Sequence, residues 1–182
     1  MINYNFNKTI TLKTGQQVTL RYPQQNDIDE VLNYINKLVE EDVFILLNEK
    51  KTKEEEVKFI QNATQEINDQ KGLVIFAFAG EKLVGITNIG KGRFREENNG
   101  ELGISLAKEF RGLGLGRILI NEIIAQAKQY LNINLLILAV CAPNQVALNL
   151  YQSVGFHEYG RLPQAVKYKD QMIDKILMYK NL

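Results

Sequence analysis

The chain has no tryptophan, one cysteine, one histidine and three prolines in 182 residues. A single cysteine, Cys141, excludes an internal disulfide and suits a reducing compartment. One histidine and one cysteine are too few for the usual nitrogen and sulfur ligands, so no metal is expected. Charge of one sign is lacking as well: 22 Lys and Arg stand against 21 Asp and Glu, a formal net charge of +1. Nothing here draws the chain towards nucleic acid or an anionic membrane. The longest apolar run, LLILAVCA at Leu135 to Ala142, is too short to cross a bilayer. The opening MINYNFNKTITLK lacks the basic-then-apolar order of a signal peptide. The expectation is a soluble cytoplasmic protein with neither nucleic acid nor membrane as a partner.

What is present fits one α/β domain over residues 1–182. ITLKTGQQVTLRY alternates about Gly15, as a hairpin or an opening strand does. From Asn26 or Asp27, Ile28, Val31, Leu32, Ile35, Leu38 and Val39 recur at helical spacing. A second helix is expected at Thr52, where Thr52 and Glu55 form a capping box. GLVIFAFAGEKLVGITNIG holds two strands about a Gly80 turn, and ELGISL is another. A helix follows with Ile120, Ile123, Ile124, Ala127 and Leu131 on its buried face. LLILAV is expected to be a strand buried on both faces, because its apolarity is unbroken. Pro143-Asn144 opens a short helix that Gly155 closes, and FHEYGRL and QMIDKILMYK supply the last strands. The run from Glu101 to Val154 implies a βαβ unit with parallel strands. With hairpins on either side, the sheet is mixed.

Three glycines in RGLGLGR, Arg111 to Arg117, stand at the entrance of a helix, although glycine disfavours helix by about 1 kcal/mol relative to alanine. Glycine permits positive φ and close approach of backbone N–H groups to a ligand. A nest of amides backed by the positive end of a helix suits a diphosphate. The Walker pattern fails for want of its spacing and its Lys-Ser or Lys-Thr. The dinucleotide fingerprint fails because Arg117 stands where glycine is required, and no acidic residue follows at the right distance. The pattern that fits is Arg/Gln-x-x-Gly-x-Gly/Ala, through Arg111, Gly114 and Gly116. About 30 residues on, NQVALNLYQSVGF sets Asn144, Ala147 and Tyr151 on one helix face, followed by Gly155 and Phe156.

These two motifs, in this order and on these elements, resemble the GNAT superfamily of acetyl-CoA-dependent N-acetyltransferases. The resemblance covers nearly the whole chain. It implies a mixed, mostly antiparallel sheet with a βαβ acyl-CoA-binding core and helices on both faces. It implies acetyl-CoA as co-substrate and an amine acceptor as partner; direct transfer in a ternary complex is expected because no thiol-activating motif is visible, and a homodimer is left open. By match, Ile104, Ser105 and Leu106 bind the pantetheine and the thioester carbonyl. The diphosphate meets Arg111, Gly112, Leu113, Gly114, Leu115, Gly116 and Arg117, with Arg117 neutralising charge. Asn144 and Tyr151 face the pantetheine arm, and Tyr151 protonates the departing sulfur. Glu101 is the candidate base.

Each assignment has a plainer alternative. Tyr151 also suits a core aromatic with a satisfied hydroxyl, and Glu101 an exposed carboxylate at a strand start. Cys141 is either an acetyl carrier or a small core residue. His157 is structural or exposed. KGRFREE, Lys91 to Glu97, is a solvated hairpin tip or a guide for an anionic acceptor. EEDVF, Glu40 to Phe44, is a solvated helix end or a site for a cationic amine. The acceptor expected is a small molecule such as an amino acid. The alternatives are a protein N-terminus, or no acceptor at all in an acyl-CoA sensor. The ending resembles relatives acting on amino acids, peptides or protein termini, but Gln171 stands where those often have glycine.

Overall fold

The computed structural model describes residues 6–182; residues 1–5, whose composition bore on the signal peptide, lie outside the described residues. The elements run β1 (Asn7–Thr11), β2 (Gln17–Arg21), α1 (Ile28–Glu40), α2 (Lys53–Asn68), β3 (Gly72–Ala79), β4 (Lys82–Lys91) and β5 (Asn99–Leu106). They continue as α3 (Leu115–Tyr130), β6 (Leu135–Cys141), α4 (Gln145–Ser153), β7 (His157–Tyr168) and β8 (Gln171–Asn181). One eight-stranded sheet takes the order β1-β2-β3-β4-β5-β6-β8-β7. Only β5 and β6 pair in parallel, across the α3 crossover; every other neighbouring pair is antiparallel.

Local chemistry explains the boundaries. Thr52 accepts from the amide of Glu55 while the Glu55 carboxylate takes the amide of Thr52, so the capping box forms in both directions. The first helix is preceded by a short 3-10 turn at Gln25–Asp27, and α1 proper begins at Ile28. Gly155, at φ 89°, turns the chain out of α4. In the last hairpin Tyr168 pairs with Gln171, and the positive φ of 53° falls on Lys169. Gln171 therefore needs no glycine's freedom.

The core forms where the sheet meets its helices. Phe76, Leu83, Ile89, Leu119, Ile120 and Phe156 are among its fully buried side chains. Transfer of such side chains from water contributes about 1.5–3 kcal/mol each. One expectation is corrected here. LLILAV is not buried on both faces: Leu136, Leu138 and Val140 are buried, Ile137 is half-buried and Ala139 is exposed. The alternation means that only one face of β6 meets the core. Among the described residues no helix is long and apolar enough to cross a membrane.

Candidate active site

The parallel strands part company. β5 and β6 pair at Asn99↔Leu135, Gly100↔Leu136 and Glu101↔Ile137, and then the ladder stops. β5 nonetheless continues to Leu106 and β6 to Cys141. On its other side β5 stays paired with β4 as far as Leu106↔Gly85. The stretch Leu102 to Leu106 therefore has one free edge, opening on a wedge whose apex is at Glu101 and Ile137. Burial changes with it: Gly100 and Leu102 are buried, whereas Gly103 to Leu106 are half-buried. An unpaired strand edge presents backbone donors and acceptors, which suits a ligand carrying amides of its own.

The two faces of β5 differ. Alternation puts Leu102, Ile104 and Leu106 on one side. There a Cβ added to Gly116 of α3 would lie 3.4 Å from Leu106 and 3.9 Å from Ile104. Glu101, Gly103 and Ser105 take the opposite side. Ser105 Oγ there shares a 2.8 Å hydrogen bond with the hydroxyl of Tyr34 from α1. Glu101 is exposed, and Ile137 and Ala139 of β6 share its face. Four residues separate it from Ser105, or about 13 Å along the strand.

The loop after β5 carries the glycines. A 3-10 turn at Lys108–Phe110 precedes it, and the amide of Arg111 donates to Lys108. Gly112 and Gly114 sit at φ 74° and 88°, and a Cβ on either would meet nothing within 4 Å. Gly114 is the N-cap of α3; it offers no side-chain cap, and no acidic residue stands in the first turn. The first helical bond outside the helix body runs from Ile118 to Gly114. Among the described residues, the amides of Gly112, Leu113, Gly114, Leu115, Gly116 and Arg117 donate to none. Six successive free donors at the positive end of a helix make an anion cradle. Gly116 differs from the other two: a Cβ there would meet Leu150 of α4 at 2.9 Å. It permits close packing of two helices.

The predicted side chains fare unequally. Arg117 is exposed and holds no ion pair among the described residues. Arg111 is engaged: its Nε donates to Leu106 O at 2.9 Å and its terminal nitrogen to Glu41 Oε2 at 3.0 Å. Asn144 caps α4 by accepting from Ala147 at 3.2 Å, so its oxygen is occupied. Tyr151 is 7% exposed, with its ring edge-on to Phe156. Its hydroxyl hydrogen-bonds to no described residue, yet among the described residues no fully buried side-chain polar atom lacks a partner. The hydroxyl is thus the part of Tyr151 that reaches solvent. Burial of the ring pushes its pKa up to about 12, so it holds its proton at neutral pH. Cys141 is buried, and that burial raises its thiol pKa against the weaker pull of Lys175. It is protonated and a poor nucleophile.

EEDVF is neither a bare solvated end nor a free anionic site. Glu40 pairs with Lys50 at 2.6 Å, Glu41 with Arg111 at 3.0 Å and Asp42 with Lys169 at 3.7 Å. Tyr168, the last residue of β7, also donates to Asp42 O at 2.8 Å, and its ring lies tilted against Phe44. In KGRFREE, Phe94 is 90% exposed, as a hairpin tip would be. His157 is exposed beside Tyr179. A pocket of about 220 Å³ lies at α1 and the start of β4, lined by Tyr34, Lys37, Glu41, Lys82 and Ala107 among others. None of its lining comes from β6, α3 or α4, so it is not the wedge. Tyr34 is the residue that sequence reasoning missed. Its signal was a phenol three residues after Val31 and four before Leu38, on a buried helix face where a hydroxyl needs a partner. Among the described residues no group of three or more His, Cys, Asp or Glu could hold a metal ion.

Comparison with known proteins bears on this geometry. Residues 35–156 match the acetyltransferase (GNAT) family, which is more than half of the chain. The acetyltransferase of GNAT family from Streptococcus pneumoniae is 29% identical, with 91% of this chain and 99% of that one covered at a TM-score of 0.82. Ribosomal-protein-alanine N-acetyltransferase from Brucella melitensis is 27% identical, with 90% and 99% covered at a TM-score of 0.79. A phosphinothricin acetyltransferase from Sinorhizobium meliloti, solved with acetyl-CoA, is 19% identical, with 91% and 88% covered at a TM-score of 0.78. That last likeness is one of fold. No curated protein matches the chain significantly in sequence.

Proposed function

The chain belongs to the GNAT acetyltransferase family, an acyltransferase family, and from that premise we propose that it moves the acetyl group of acetyl-CoA to a primary amine by direct attack in a ternary complex. The observation that carries the reading is the row of six free amides, Gly112 to Arg117, beside the free edge of β5. Acetyl-CoA supplies the acetyl group activated as a thioester. The residues present fit it. The loop amides and the exposed Arg117 hold the diphosphate, and the edge from Ile104 to Leu106 offers backbone partners to the pantetheine amides. Glu101, at the apex of the wedge and exposed, takes the proton from the attacking amine directly or through water. Tyr151 donates its proton to the departing sulfur. One C–N bond forms, one C–S bond breaks, and the proton lost by nitrogen is matched by the proton gained by sulfur.

The acceptor is a small amine such as an amino acid. A second reading, acetylation of a protein N-terminus, has in its favour the likeness to the Brucella melitensis enzyme. A turnover assay with acetyl-CoA against amino acids, polyamines, aminoglycosides and N-terminal peptides separates the two. The proposal expects one pool to release free CoA well above background hydrolysis. CoA binding by calorimetry without turnover in any pool would replace the enzyme with an acyl-CoA sensor.

A further inference from the structure

The arginine that opens the glycine loop is committed elsewhere. Arg111 bridges the last carbonyl of β5, Leu106 O, and Glu41 just beyond α1. Its neighbours repeat the theme. Lys37 of α1 meets Glu109 in the 3-10 turn at 2.7 Å, and Lys82 of β4 joins that carboxylate at 3.4 Å. Tyr34, buried in α1, meets Ser105 of β5 at 2.8 Å. Tyr34, Lys37 and Glu41 are spaced i, i+3 and i+7, so they lie along one helix face. That face touches the end of β5, the turn and the start of the loop in chain order.

The loop has need of such support. Gly112 and Gly114 have nothing packed where their Cβ atoms would be, so the middle of the loop is held by one side chain of its own, the half-buried Leu113. Its far end is fixed by the buried Leu115 and by Gly116 against Leu150. Its near end is fixed by the buried Phe110 and by Arg111. We propose that this face of α1 acts as a strut for the diphosphate loop, and that Arg111 is a positioning residue and not a phosphate ligand. The guanidinium already has a carboxylate and a carbonyl as partners, whereas Arg117 has no competing anion and is the cation for the phosphates. This inference rests on the assignment of the loop to the CoA diphosphate.

The sign of one substitution decides it. Glu41→Gln keeps the size of the side chain and removes the charge that holds Arg111. Under the strut, the loop loosens: the Kd for CoA by calorimetry and the KM for acetyl-CoA rise about five- to tenfold, the size of one ordinary net hydrogen bond, since Gln still accepts but without the charge. The kcat at saturating acetyl-CoA stays within about twofold, a split that general destabilisation does not give. A phosphate-binding Arg111 would be released by the same change, and CoA would bind equally or more tightly; that result overturns the strut. Arg111→Lys is the second arm, and it keeps the strut refutable should Glu41→Gln fail to fold. Lysine keeps a cation near the loop but cannot bridge Leu106 O and Glu41 together. The strut expects weakening like that of Glu41→Gln, and affinity within twofold of wild type overturns it. Wild-type protein that binds no CoA overturns the diphosphate assignment as well, so the two failures are distinguishable.

Discussion

Gly114→Glu tests the anion cradle at its centre. The position is the N-cap of α3 at φ 88°, with open space where a Cβ would stand. A Cβ there clashes with nothing, and the cost to the fold is that of a left-handed conformation, about 1–2 kcal/mol. For a chain of this length that lowers Tm by about 2–8 °C, so the protein should remain folded at 25 °C. Binding suffers a separate, electrostatic loss. A carboxylate about 5 Å from a doubly charged diphosphate is repelled by about 1.7 kcal/mol in bulk water and about 6.6 kcal/mol at an effective dielectric of 20. Affinity for CoA should fall at least roughly 15-fold, with less loss at high salt. Calorimetry with CoA measures this, and Gly114→Gln, of equal bulk and backbone strain, isolates the charge. If the Glu and Gln variants both bind CoA as wild type does while remaining folded, the loop is not the diphosphate site.

Three further outcomes bear on the chemistry. Tyr151→Phe should lower kcat at pH 7 by about 10²-fold, the low end for general acid catalysis, because an alkyl thiol of pKa near 8.5 is already a fair leaving group. CoA affinity should stay close to wild type and the defect should shrink above about pH 8.5, where the thiolate can leave unprotonated, while the wild-type phenol, at about 12, keeps its proton; a wild-type kcat with chemistry rate-limiting removes Tyr151 as the acid. Glu101→Gln should slow turnover most at low pH, where the amine is mainly protonated, and an unchanged pH–rate profile would make Glu101 a surface carboxylate only. Initial rates with both substrates varied should give intersecting double-reciprocal lines, because the buried thiol of Cys141 is held protonated; parallel lines with acetylated Cys141 by mass spectrometry would establish a covalent route.

Much of this was legible because local chemistry decides it. Thr52 and Glu55 announce a capping box that the fold keeps, and glycines before an amphipathic run announce a left-handed loop at the head of α3. The wedge was not legible. It depends on where the β5–β6 ladder stops, and Leu102 to Leu106 carry no residue that marks it. The run LLILAV concealed it further. Ile137 and Ala139 look like core, but they face the more open side of β6, and apolar side chains line ligand sites as readily as they fill interiors.

Charge was the hardest feature to place, since a motif names a residue and the fold names its partner. Arg111 belongs to a phosphate motif yet faces Glu41, and the cluster that suggested a cationic acceptor is already neutralised. Exposed pairs of this kind contribute about 0–1 kcal/mol each, so Glu40–Lys50 and Asp42–Lys169 add little to stability. Their effect falls on the field. A cationic amine approaching EEDVF meets three carboxylates and three basic side chains, which nearly cancel beyond a Debye length of about 8 Å. In the proposed function, attraction for a protonated acceptor is assigned instead to Glu101, exposed at the apex of the wedge. One carboxylate beside apolar Ile137 and Ala139 suits an amine with a single positive charge better than a polyamine. With Glu101 as the proposed base, the amine would give up its proton at that same carboxylate, which would place recognition and base chemistry in one side chain.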